Sequence, residues 1–130
     1  MSLLIKNDIP RLSGNKGTTT ANWYTGMGTS GETGGDAVAI GTAGTYKKVQ
    51  ALWLNIENLA NGATVTVRLY HPINGVEKKV YQQSFARGVD PNGLWIISGT
   101  LAVSGILRCE IQSDNSGDIA KSIAWEWVTE

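Results

Sequence analysis

The chain has 130 residues, of which 11 are basic and 11 acidic, so its formal net charge at pH 7 is zero. A single domain with its own hydrophobic core is expected at this length, and the balanced charges lack the basic patch of proteins that bind nucleic acid or anionic membranes. One cysteine excludes an intrachain disulfide, and no apolar run has the length of a signal-peptide core or a membrane span.

The chain is predicted to consist of an arm and one β-domain. Residues 1–17 carry several aliphatic side chains followed by polar, glycine-rich sequence, and are predicted to form an N-terminal arm. In residues 18–130, frequent glycine, threonine, valine and aromatic residues predict short strands joined by tight turns. Eight strands with this spacing predict an all-β fold, a two-sheet antiparallel β-sandwich of the jelly-roll type. The strands are expected near residues 18–24, 36–41, 45–57, 63–71, 77–86, 94–101, 106–113 and 121–128.

Between the first two predicted strands, residues 25–36 contain Gly26-x-Gly28-x-x-Gly31, the glycine spacing of a dinucleotide-binding loop. Such a loop binds phosphate only when a helix begins at its last glycine, because the helix directs free N–H groups at the ligand. Two adjacent glycines follow here and disfavour a helix, and no Lys-Ser/Thr pair is present. We therefore expect a polar loop with no phosphate site and no cofactor.

Two predicted strands are apolar on both faces. In residues 49–56 both alternate sets of side chains are apolar, and the run LWII at residues 94–97 has the same character. Such a strand must be covered on both faces, and in a two-layer sandwich the second cover is a loop, the arm or another subunit. We predict an assembly interface at Trp53, Leu52, Leu54, Trp95 and Ile97.

The sequence INGV predicts a hairpin turn at Asn74-Gly75. A two-residue loop would set Val67 opposite Gln82, whereas a three-residue bulged loop would set Val67 opposite Tyr81. The bulged register keeps apolar side chains together, so it is the register we predict.

Few residues suggest chemistry. The single histidine has no second histidine or reactive cysteine near it in sequence, and Cys109 within ILRCEIQ is predicted to be a small buried apolar residue. Asp114, Ser116 and Asp118 alternate as the oxygen ligands of calcium loops do. The same residue types also favour turns, so we predict a turn here, with calcium binding as the alternative. No metal site or enzymatic activity is expected.

Five tryptophans are many for this length. Trp125 and Trp127 share one strand face with Ile123, which favours a role in the core. If these rings were exposed they would form a flat platform for stacking on sugars. The candidates for such stacking are Trp23, Trp125 and Trp127.

From about residue 63 the sequence runs TVTVRLYHPINGVEKKVYQQSF and, further on, GVDPNGLWIISGTLAVSGILRCEIQSDNSGD. It resembles small β-rich proteins encoded in the structural-gene regions of tailed phages and prophages. The resemblance implies a virion component, of the head-decoration, capsid or tail type, located in the virion or, before assembly, in the host cytoplasm.

Two functions are therefore expected from the sequence. The first is a non-enzymatic structural or interaction protein that self-assembles through apolar sheet faces, with itself and other virion proteins as partners. The alternative is a carbohydrate-binding module or lectin-like domain that uses exposed tryptophans and polar loops to bind glycans. Neither nucleic acid nor a membrane is expected as a partner.

Overall fold

The computed structural model describes residues 11–130, which form eight β-strands. Within this range there is no helix that could span a membrane. The strands are β1 (Ser13–Ala21), β2 (Gly35–Ile40), β3 (Lys47–Asn55), β4 (Thr64–Ile73), β5 (Val76–Ala86), β6 (Gly93–Val103), β7 (Leu107–Ser113) and β8 (Lys121–Thr129).

The strands form two four-stranded antiparallel sheets, which we call the first sheet (β1-β8-β3-β6) and the second sheet (β2-β7-β4-β5). The chain changes sheet at every connection except the β4–β5 hairpin. Eight strands wound in this way make a jelly roll. The predicted two-sheet sandwich is therefore confirmed.

The start of the first strand differs from the prediction. β1 begins at Ser13 and pairs with β8 from Ser13↔Thr129 onward, so the end of the predicted arm is part of the sheet. Its side chains there are polar and exposed, but an edge strand can form from such residues because the backbone makes the pairing. Residues 11 and 12 precede β1 outside any strand, and residues 1–10 of the predicted arm lie outside the described residues.

The core lies between the two sheets, and the period-2 patterns of β4 and β7 locate it. Val65 and Val67 on β4 and Ile111 on β7 are fully buried, as the alternation predicts. Cys109 lies on the same inner face and is also buried, and burial raises the pKa of its thiol to about 12. The largest buried apolar side chains are Trp23, Ile40, Leu52, Leu54, Ile56, Leu107, Ile111 and Ile123.

β-Bulges account for much of the two-sided apolar character of β3 and β6. The pairing of these strands shifts register between Val49 and Ala51 and again between Leu52 and Trp53. Each bulge resets which side chains face inward. Val49 and Leu52 both lie in the core as a result, although residues three apart in an ideal strand would lie on opposite faces.

The β4–β5 hairpin contains the predicted turn but not the predicted register. Asn74 and Gly75 both have positive φ (51° and 81°), which makes a two-residue type I′ turn between Ile73 and Val76. A bulge farther along inserts Val80 into β5, so that Val67 pairs with Gln83. The predicted pairing of Val67 with Tyr81 is wrong, because the extra residue lies within the strand and not in the loop.

Candidate functional site

The structure separates the five residues of the predicted assembly interface. Leu52, Leu54 and Ile97 face the interior and are at most 7% exposed, so they offer almost no surface to another subunit. Trp53 and Trp95 are register partners on the outer face of the first sheet, with 38% and 65% of their surfaces exposed. The correction follows from the bulges, because they direct the aliphatic side chains of this set inward and leave the tryptophan pair on the outer face.

The tryptophans predicted for sugar stacking are not the exposed ones. Trp23 is fully buried, and its indole N–H donates to the carbonyl oxygen of Lys121 at 2.7 Å. Trp125 and Trp127 are half-buried and pack against the core, and Trp125 donates its N–H to Thr19 at 3.0 Å. The buried N–H of Trp127 has no hydrogen-bond partner among the described residues.

The segment that holds Asp114, Ser116 and Asp118 is a turn, as predicted, and its two carboxylates bond to other parts of the sandwich. Asp118 is fully buried and accepts hydrogen bonds from the backbone N–H of Ala60 and from the hydroxyl of Ser113. Asp114 accepts one from the backbone N–H of Thr64 at 2.7 Å. Both carboxylates are thus occupied by donors of this chain, and Ser116 is exposed in the same turn.

The glycine-rich segment is a loop, as predicted, and it leads into a strand and not a helix. Its amides bond within the loop: Gly31 N–H donates to Gly28 O at 3.0 Å, and Gly34 N–H donates to Gly26 O at 2.8 Å. These groups are therefore already used. Gly28 is also sterically required, because a Cβ there would lie 2.5 Å from the carboxyl carbon of Glu110.

That contact belongs to a charged cluster that the sequence reasoning missed. Glu110 on β7 is fully buried beneath the glycine-rich loop. It accepts hydrogen bonds from the backbone N–H and the hydroxyl of Ser30, at 3.0 and 2.8 Å, and from the guanidinium of Arg108. Arg108 also bonds to Asp36 at 2.7 Å and to Glu77 at 2.6 Å. These contacts join the loop to β2, β5 and β7 of the second sheet.

A second part of the cluster surrounds Tyr70. The guanidinium carbon of Arg108 lies 4.5 Å from the centre of the Tyr70 ring, and the Tyr70 hydroxyl donates to Glu32 in the loop. Burial, together with this hydrogen bond, raises the pKa of Tyr70 to about 12. Hydrogen bonds from Tyr70 and Lys79 hold the pKa of Glu32 below its usual value.

Asp36 and Arg108, which form an ion pair, both have shifted pKa values. Burial raises the pKa of Asp36, but hydrogen bonds from Thr29 and the charge of Arg108 outweigh it and lower the pKa overall. For Arg108, burial lowers the pKa while hydrogen bonds to Glu77 and Glu110 raise it above its ordinary value. The cluster is thus a network of ion pairs and hydrogen bonds that covers part of the outer face of the second sheet.

The sandwich has two ends at which an edge strand of the first sheet lies beside an edge strand of the second, and these two ends differ. Where β1 and β2 form the edges, the Thr19 hydroxyl donates to Ala37 O at 2.7 Å and closes the gap between the sheets. At the other end, β5 and β6 border a cleft of about 420 Å³, which we call the β5/β6 cleft. Its walls are mostly apolar and reach down to core residues, and they include Leu69, Val80, Tyr81, Ile96, Ile97, Leu101 and Leu107.

Both borders of the cleft are long edge strands. β5 and β6 each have 11 residues, and among residues 11–130 neither has a second neighbour in its sheet. An edge strand leaves a row of N–H and C=O groups free to pair with another chain. The cleft therefore combines unpaired backbone groups with exposed apolar side chains, among them Val80, 47% exposed.

Comparison with known proteins leaves the family open. No protein-family model matches the chain, and no curated protein matches it. The geometry of the chain itself therefore carries the functional argument.

Proposed function

We propose that this chain is a non-enzymatic structural or interaction protein that assembles with copies of itself through the β5/β6 cleft. The observation that carries the proposal is the asymmetry of the sandwich. The β1/β2 end is bridged by the chain's own hydrogen bond, whereas the β5/β6 end is bordered by two long edge strands around an apolar cleft.

The energetics favour a cover for this end. Fully burying a valine or leucine side chain contributes about 1.5–3 kcal/mol relative to exposure, and Val80 and Leu101 both have a large part of their surface in water. Soluble proteins usually protect edge strands with charge, proline or a covering segment. A second copy related by symmetry supplies both apolar surface and backbone partners, and twofold dimers are the commonest symmetric oligomers of soluble proteins.

The charged cluster supports the choice of this end over the outer face of the second sheet. The glycine-rich loop covers part of that face, where buried Glu110 and Arg108 form hydrogen bonds and ion pairs. Desolvating further charged groups there would cost free energy. Among the described residues, no charged side chain lines the β5/β6 cleft, so covering the cleft does not require desolvating one.

A virion role is the more specific form of the proposal. Jelly rolls occur in viral capsid proteins and in lectins, and the sequence from about residue 63 resembles phage and prophage structural proteins. We propose a head-decoration, capsid or tail component, with other virion proteins as further partners.

Sedimentation equilibrium over a wide range of micromolar concentrations tests self-assembly. We expect a mass that is a multiple of 13.9 kDa for the wild type, and a shift toward monomer for Val80→Glu. The control is Ile119→Glu, an exposed apolar residue in the β7–β8 turn, which should leave the mass unchanged. A wild type that stays monomeric at tens of micromolar would contradict the proposal.

Deletion of residues 1–10 is an independent test in the same experiment. A variant without them should retain the wild-type mass, because the cleft carries the association. If the deletion abolishes assembly while Val80→Glu does not, the predicted arm is the assembling element and the cleft is not.

A further inference from the structure

A groove of about 510 Å³ crosses the outer face of the first sheet, and within residues 11–130 it shares no lining residue with the β5/β6 cleft. This volume lies within the range of small-ligand sites, about 300–1,000 Å³. Strand register explains its shape. Lys16, Glu126 and Trp53 form one outward row across three strands, and the next outward row contains the small residues Ala124 and Gly93. The groove lies where side chains are short, beside the indole of Trp53.

The groove has an aromatic wall that water can reach. Trp53 is one of its lining residues, and 38% of its surface is exposed. Trp125 is also a lining residue, but its side chain packs against the core, where its ring lies so close to Gly17 that a Cβ there would be 2.6 Å from a ring carbon. The accessible ring of the groove is therefore that of Trp53. Aromatic rings of this kind offer a flat apolar surface with a polar edge.

The rest of the rim is polar and has free hydrogen-bonding capacity. Asn55, Glu57, Asn92, Lys16 and Glu126 line the groove. Lys16 and Glu57 use only backbone atoms in their hydrogen bonds. Within residues 11–130 the ends of the Asn92 and Glu126 side chains form no hydrogen bond or ion pair with the protein either. Asn55 Oδ1 already accepts from the backbone N–H of Glu57. A ligand with several hydroxyl groups could therefore bond to the side chains of Lys16, Glu57, Asn92 and Glu126 without displacing an internal contact.

We propose that this groove binds a neutral saccharide, with one sugar ring stacked on Trp53 and its hydroxyl groups bonded to the amide and carboxylate groups of the rim. A sugar ring matches the site because it has an apolar C–H face and a polar edge. The rim carries two carboxylates and one ammonium group, so an acidic saccharide would meet net repulsion. The site differs from the one expected from sequence, because Trp53 replaces Trp23 and Trp127.

Calorimetric titration and tryptophan fluorescence of the full chain test the proposal. The probes are cellohexaose, xylohexaose, mannohexaose, laminarihexaose and chitohexaose, with an acidic oligogalacturonate as the charged comparison. We expect saturable binding of at least one neutral probe and a change in tryptophan emission. Trp53→Ala should weaken that binding by about tenfold or more, and Asn92→Ala by about fivefold.

Trp95→Ala is the matched control, because Trp95 is the register partner of Trp53 on the same face but does not line the groove. It should keep the wild-type affinity within about twofold. The proposal is overturned if no neutral probe binds, if only the acidic probe binds, or if Trp53→Ala and Asn92→Ala both bind as the wild type does. Because Val80 does not line the groove, assembly and saccharide binding can fail independently.

Discussion

Replacing the buried carboxylate of the charged cluster should destabilise the protein far more than replacing an exposed one that pairs with the same arginine. In Glu110→Gln, the remaining side-chain oxygen still accepts from the Ser30 hydroxyl. The new NH2 group faces the Arg108 guanidinium, so two hydrogen-bond donors oppose each other and that bond is lost. Removing one partner of a buried ion pair costs about 3–5 kcal/mol. Arg108 keeps Asp36 and Glu77, so we expect a loss of about 2–4 kcal/mol.

The matched control is Glu77→Gln. Glu77 also pairs with Arg108, at 2.6 Å, but 39% of its side chain is exposed, so its loss should cost less than about 1 kcal/mol. Urea unfolding at one fixed protein concentration measures both, because assembly would make the midpoint depend on concentration. At about 4 °C per kcal/mol, Glu110→Gln should also lower the melting temperature by about 8–16 °C.

Hydrogen exchange supplies a local readout for the same variant. The Ser30 amide donates to Glu110, so Glu110→Gln should increase exchange in residues 25–34 beyond the global change. If Glu110→Gln and Glu77→Gln lose the same free energy within about 0.5 kcal/mol, burial does not set the strength of this cluster and the reasoning is refuted.

Three further predictions concern the same molecule. Gly28→Ala should destabilise it by about 1–3 kcal/mol because the new Cβ meets a buried carboxyl group, whereas Gly93→Ala, with no atom within 4 Å of its Cβ, should change thermal stability by less than about 0.5 kcal/mol. Cys109 should not react with Ellman's reagent at mildly alkaline pH until the protein is unfolded, since burial raises its pKa to about 12; rapid reaction of the native protein would show that the core is open. The pKa values of Glu32 and Asp36 are lowered from 4.5 and 3.8, so their contribution is present above those values and is lost as the pH falls through the lowered ones. The urea midpoint should therefore decline below about pH 4.5, and a midpoint that stays flat in acid would contradict this.

The sandwich could be predicted because its signals are local. The alternation of Val65 and Val67 on β4 identifies a strand with one buried face, and Asn74-Gly75 identifies a hairpin turn. Bulges have no comparable signal. The inserted Val80 shifts the register of the hairpin from Leu69 to Thr64, although nothing in its sequence neighbourhood distinguishes it from a paired residue.

The charged cluster could not be predicted for a different reason. The alternation placed Arg108 and Glu110 on the face opposite the core, where water is the expected environment. Their burial depends on a loop almost eighty residues earlier in the chain, because Ser30 contacts Glu110 across a separation of 80 residues. Only the pairing of β4 with β7, which sets Arg68 opposite Glu110, could have suggested that charges gather there, and strand order is a property of the whole fold.

The two proposed activities use different surfaces of the sandwich, so one molecule can perform both. Assembly through the β5/β6 cleft uses the end of the sandwich, so it leaves the groove beside Trp53 on the outer face of each copy. A shallow groove with one stacking ring binds a saccharide weakly, because few contacts offset the entropy lost on binding. Copies held in one assembly would present several such grooves together, and the second and later contacts would form at a high effective concentration. Self-assembly would thus convert a weak site on each copy into tight attachment to a surface that carries many identical glycans.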